Sequence, residues 1–177
     1  PATTLFAPDL GLTSRDIDAF SVAPDGSYVF SVDGDNDFEG LEYTEEDLMR
    51  YDPATGQASY ALRFEELFTC ASTYCSSLDL RAAHVMDDGE IWVVFAEEDV
   101  VADGVTYAEG SVIGYQPATG AFRQVRASFP GGGAVDAMAV DPFTGNLLVS
   151  FEDTDCNTIT GISGCEDGDV VELQSDG

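Results

Sequence analysis

"DAFSVAPDGSYVFSV", residues 18–32, is the stretch on which the fold turns. Asp25–Gly26 is a hairpin signal between two short runs. Ala19–Val22 is rich in small residues, and Tyr28–Val32 is β-branched and aromatic. The pattern returns as "DLRAAHVMDDGEIWVVF" (79–95) and as "DAMAVDPFTGNLLVSF" (136–151), each with its turning glycine at Gly89 and Gly145. A second block follows each copy in the same order. It reads "DLMRYDPATG" (47–56), "SVIGYQPATG" (111–120) and, more weakly, "DVVELQSDG" (169–177).

The copies recur 56 to 64 residues apart. One unit then contains strands at 19–22, 28–32, 48–51 and 58–64, with the turn "DPATG" after the third. No convincing amphipathic helix is present. "TEEDLMRY" has local helical character, but its counterpart "EGSVIGY" does not. Four antiparallel strands repeated at this period describe an all-β chain of β-propeller type, with three four-stranded blades at about 16–64, 77–129 and 134–177. A plain β-sandwich would not predict the repeat.

The motif "V.PDG...FS" followed by "YDPATG" resembles blades of lactonase-type (gluconolactonase-like) and NHL-type propellers. The acidic variant of the pattern is similar to repeats in large secreted bacterial proteins. The resemblance implies a propeller fold over nearly the whole chain and leaves the activity open, because propellers host many unrelated functions.

Composition narrows the function. The 177 residues carry 34 acidic and six basic side chains, all of the latter Arg, for a net charge of −28. That balance argues against nucleic-acid or anionic-membrane partners, which need basic patches. With 44% hydrophobic residues the chain is not a disordered acidic tail. The longest apolar run, "IWVVFA" (91–96), is too short to span a bilayer, so no membrane insertion is expected. The chain begins at Pro1 rather than Met, which suggests a removed leader or an excised piece. The cysteines form two close pairs among Ser, Thr and Gly: Cys70 with Cys75, and Cys156 with Cys165. Zinc is the competing reading, but the spacings are not those of a zinc knuckle. Two local disulfides, and with them an extracellular, cell-surface or periplasmic location, are the expectation.

Eight of the seventeen residues in "SVDGDNDFEGLEYTEED" (31–47) are acidic. Strand order within a unit should gather acids from three positions onto one face. In the first unit these are Asp18, Asp33 and Asp47, with Asp35, Asp37, Glu45 and Glu46 nearby. In the third they are Asp136, Glu152 and Asp169, with Asp153, Asp155 and Asp167 nearby. The second unit keeps Asp79 but has Ala96 and Ser111 at the other two positions. Hard divalent cations take six to eight oxygens, so bound Ca2+ is the expectation for the first and third units. "DGDNDFE" resembles the start of an EF-hand loop, but Phe38 stands where that loop needs Gly and Thr44 where it needs Glu. Solvated loop charges are the alternative.

The ends of the repeat bear on partners. "DVVELQSDG" is a third strand with no fourth after it, and residues 2–6 sit where a closing outer strand would. An open edge invites pairing. The expectation is a homodimer that exchanges this strand and closes a six-bladed ring, or else a head-to-tail filament. A fragment of a longer chain is the alternative.

His84, the only histidine, reads as a packed residue rather than a catalytic base. Arg81 is expected to pair with the inner acids, and Trp92 and Phe95 to lie in the core. Two functions fit. One is a calcium-stabilised extracellular binding or self-assembly module. The other is a metal-dependent hydrolase of lactonase type, with Asp18, Asp79 and Asp136 around an axial metal.

Overall fold

A computed structural model of the chain describes residues 16–34, 36–71, 78–96, 98–129, 135–151 and 169–174. Nearly all regular structure is antiparallel β. The first sheet contains β1 (Ile17–Val22) and β2 (Tyr28–Val32). The hairpin β3 (Asn36–Phe38) and β4 (Leu41–Tyr43) interrupts it before β5 (Leu48–Asp52) and β6 (Gln57–Leu62) complete the order β1-β2-β5-β6. A single helical turn, α1 (Phe64–Leu67), and the two-residue β7 (Thr69–Cys70) lead onward.

The second sheet repeats the plan. β8 (Asp79–Val85) and β9 (Ile91–Ala96) precede the hairpin β10 (Val100–Ala102) and β11 (Val105–Tyr107). β12 (Val112–Gln116) and β13 (Ala121–Arg126) then give the order β8-β9-β12-β13. β10 and β11 add β7 to form a small three-stranded sheet of their own. The third sheet has three described strands, β14 (Val135–Val140), β15 (Leu147–Phe151) and β16 (Val171–Leu173).

The first hairpin of each sheet turns on a glycine of the same kind. Gly26, Gly89 and Gly145 have φ of 85°, 84° and 73°, a region that side chains with a Cβ enter at a cost. Asp47 N–H donates to Thr44 O and Ser111 N–H to Ala108 O, both at 3.0 Å. Two hairpins are inserted beyond the four strands of the first and second units, one in each. Each turns on a positive-φ pair, Glu39–Gly40 and Asp103–Gly104, the mark of a tight two-residue turn. "DG" at 103–104 carried that signal; "EG" at 39–40 carried it weakly, hidden in the acidic run.

The fourth strand also ends earlier than expected. Phe64 N–H donates to Asp47 Oδ1 at 2.8 Å, which draws the backbone out of the ladder and starts α1. The sequence expectation for residues 58–64 ran two residues past Leu62 for this reason.

Alternation in the strands gives each sheet two apolar faces, and the sheets stack through them. Val29, Leu48, Leu62 and Phe64 of the first unit bury against Leu80, Val93, Phe95 and Ile113 of the second. Trp92, Val94 and Val112 of the second bury against Met138, Val149 and Phe151 of the third. Burying one such Leu or Phe contributes roughly 2 kcal/mol, and rings at 5.1–5.5 Å among Phe64, Phe68 and Phe95 add edge-on contacts. The hairpin β3–β4 folds over the opposite face of the first sheet, where Phe30, Phe38, Tyr43 and Met49 are buried together. The first strands of the three sheets lie side by side, β8 between β1 and β14. The expected outer strand at residues 2–6 lies outside the described residues.

Candidate functional site

The three first strands share a defect. Pairing slips by one residue between Ile17 and Phe20 in β1, between Leu80 and Ala82 in β8, and between Val135 and Ala137 in β14. A bulge of this kind re-aims one side chain. The pairings set Val32, Phe95 and Phe151 in equivalent places, so the extra residues are Asp18, Arg81 and Asp136. The sequence repeat sets Asp79 opposite Asp18. By strand register Arg81 holds that position, and Asp79 corresponds to Asp16.

A charged cluster results at the start of the first strands. Arg81 Nε lies 2.6 Å from Asp79 Oδ2, the pairing expected for Arg81. Asp33 N–H donates to Asp16 O at 3.1 Å, closing the end of the β1–β2 pair. Asp18 is half-buried there, and its Oδ2 accepts no hydrogen bond from the described residues. Burial pushes the Asp18 carboxyl up to about 6; Asp79 and Asp33 push the same way, and Arg81 opposes them. Asp136 is exposed, with Ser150 Oγ 3.5 Å from its Oδ2.

Ser31 ties the cluster to the core. Its hydroxyl accepts from Ala19 N–H, freed from the ladder by the bulge, and donates to Leu80 O, both at 3.0 Å. Thus one buried serine joins β1, β2 and β8. Ser21 Oγ accepts from Val85 N–H at 3.0 Å and makes a second link from β1 to β8.

Asp37, Glu46 and Asp47 are brought to a different place. They line a groove of about 610 Å3 with Glu42, Glu65 and Arg63, the one cation among its lining residues. Arg63 pairs with Glu66 at 3.2 Å. Asp47 is buried, and both its oxygens accept backbone N–H groups, Oδ2 from Thr44 at 3.1 Å and Oδ1 from Phe64. The set Asp18, Asp33 and Asp47 is therefore divided, with Asp33 beside Asp18 and Asp47 capping α1. Among the described residues no three His, Cys, Asp or Glu side chains converge as metal ligands. Asp169 is exposed. Asp35, Glu152, Asp153, Asp155 and Asp167 lie outside the described residues, as do Cys75, Cys156 and Cys165. Cys70 is described and is not a free thiol.

A second buried charge escaped the sequence reading. Glu90 accepts from Trp92 Nε1 at 2.7 Å and from Arg123 Nε and Nη2 at 2.6 and 2.7 Å. Those bonds to Arg123 hold its carboxyl below the usual carboxylate range. Burial lowers the half-buried His84, as expected of a packed histidine. No described helix is long and apolar enough to cross a membrane.

No family model matches the chain, and neither does any curated protein. Among solved structures it is similar to the extracellular domain of a one-component system from B. thetaiotaomicron, at 18% identity and a TM-score of 0.44, over 85% of this chain and 16% of that one. It is also similar to a protein of unknown function from Bacteroides caccae, at 12% identity and a TM-score of 0.39, over 93% of this chain and 58% of that one.

Proposed function

We propose that the chain is a β-propeller segment that serves outside the cell as a calcium-stabilised binding or self-assembly module. The observation that carries this reading is the shared bulge. Three stacked sheets set their first strands side by side, and each turns out a charged residue at the same level, Asp18, Arg81 and Asp136. That arrangement suits the inner strands of a propeller. Asp18, with one buried oxygen that no described residue bonds and with the charges of Asp33 and Asp79 repelling it, is a place where a hard cation relieves repulsion. The groove with Asp37 and Glu46 is the second candidate. Paired cysteines and the absence of Lys support an oxidising, salt-rich setting.

The test is a thermal melt with CaCl2 and with EDTA, alongside titration calorimetry. At about one hundred times Kd, bound calcium stabilises by about 2.7 kcal/mol. An unchanged melt and no heat of binding would remove calcium from the proposal.

The hydrolase reading keeps one specific support. A carboxyl titrating near 6 exchanges protons near neutrality, as an acid–base group must. A metal at Asp18 would then polarise a carbonyl, with Asp79 committed to Arg81 rather than free to complete an axial set. Lactone and ester turnover that follows metal loading and disappears in Asp18→Asn would favour it.

A further inference from the structure

The sheets of this chain stack by one repeated recipe, and among the described residues each end of the stack is partly uncovered: hairpin β3–β4 covers Phe30 and Met49 at the rear of the first sheet but leaves Phe20 and Val22 exposed. Each sheet has a forward face that receives the next sheet. In the first sheet that face is Ala19, Ser21 and Val29, all buried. Strand register gives Ala82, His84 and Trp92 in the second sheet, and Ala82 and Trp92 are buried against the third. The third sheet's counterparts are Ala137 and Ala139, exposed, and Leu148, half-buried.

The rear faces show the reverse. Ala83, Val85 and Ile91 are buried against the first sheet. Met138 and Leu147 are buried against the second, with Val140 packed beside them. Their first-sheet counterparts are Phe20, Val22 and Tyr28. Phe20 is 42% exposed and Val22 54%, with the Phe20 and Tyr28 rings 5.9 Å apart. The large residues are thus uncovered at one end and the small ones that would receive them at the other.

We infer that the rear face of the first sheet, Phe20, Val22 and Tyr28, docks on the forward face of the third sheet, Ala137, Ala139 and Leu148, of a second copy of this chain. The proposal rests on the assembly reading above and gives it a surface. The occupant is a second copy because both halves of the contact belong to one repeated unit, in the register already used twice within the chain. Ser150 occupies the place of Ser31, whose hydroxyl reaches Leu80 O across the first contact. In the new contact Ser150 donates to Ile17 O of the second copy. Two such contacts related by a two-fold axis close a ring of six sheets; without closure the same contact propagates as a filament. A charge of −28 on each copy opposes the contact, so it strengthens with salt.

Light scattering of the whole chain in about 1 M NaCl, where screening acts within about 3 Å, reads the outcome against the single-chain mass of 18.8 kDa. Val22→Glu blocks the rear face and Ala139→Glu the forward face; both sites are exposed, and circular dichroism checks that each variant folds. The wild type should give twice the single-chain mass or a growing series. Each variant alone should be monomeric, and an equimolar mixture should regain one contact and give a pair. A monomeric wild type overturns both this contact and the self-assembly reading, while calcium binding is judged separately by calorimetry. An associated wild type whose two variants also associate overturns this contact and leaves assembly standing.

Discussion

Gly114→Ala tests the packing of the second sheet at one atom. Gly114 lies within β12 at a negative or extended φ, so the backbone tolerates alanine. The space does not. The new Cβ would stand 2.6 Å from Glu90 Oε1 and 3.1 Å from both Glu90 Cδ and Val125 Cγ2. Glu90 must therefore move, and it is held by three donors, Trp92 Nε1 and two nitrogens of Arg123. Arg123 is half exposed, so water replaces much of what it loses. The Trp92 indole is buried, and an unsatisfied N–H there costs about 1–3 kcal/mol. Removing a glycine from the unfolded chain returns about 0.4–1 kcal/mol. The clash wins, with a net loss of about 1 kcal/mol and a Tm lower by roughly 2–4 °C. Trp92 is the only tryptophan, so its fluorescence in urea follows both the unfolding and the local change. Midpoint and emission identical to wild type would refute the argument. In a Glu90→Ala background the same substitution should cost far less, since the carboxylate it strikes is gone.

Two other substitutions probe the inner strands. Asp18 has a folded-state pKa raised to about 6 from 3.8. Its protonated form therefore favours the fold, a contribution fully present below about pH 3.8 and lost as pH rises through about 6. Without metal, Asp18→Asn should stabilise the protein at pH 7.5 by roughly 1 kcal/mol, discounted because the group is half exposed, and should leave stability at pH 3.5 unchanged; an equal shift at both pH values in chemical denaturation would contradict this. Ser31→Ala strips the buried Ala19 N–H and Leu80 O of their partner, so a loss of about 1–3 kcal/mol is expected in a urea melt, and a neutral result would mean that the β1–β8 contact does not depend on Ser31.

Much of the local architecture was written in the chain itself. Alternating apolar runs around Gly26, Gly89 and Gly145 specify the hairpins, because strand period and positive φ are properties of single residues and their neighbours. The repeat of "DPATG" and "QPATG" places the third strands for the same reason. The hairpin at 36–43 was concealed because its turn, Glu39–Gly40, sits among so many acids that charge outweighed turn chemistry in the reading. The candidate site was less legible. That Asp18 lies against Asp79 and Asp33 depends on how β1 meets β8, and that Arg81 rather than Asp79 matches Asp18 depends on a one-residue slip in pairing. Asp47, expected beside Asp18 and Asp33 as a cation ligand, accepts two backbone N–H groups away from them. The sequence by itself determined where strands and turns form and how much negative charge they carry. Only the tertiary structure decided which acids are neighbours, because bulges and inter-sheet contacts join residues some 60 positions apart and no local pattern encodes that distance.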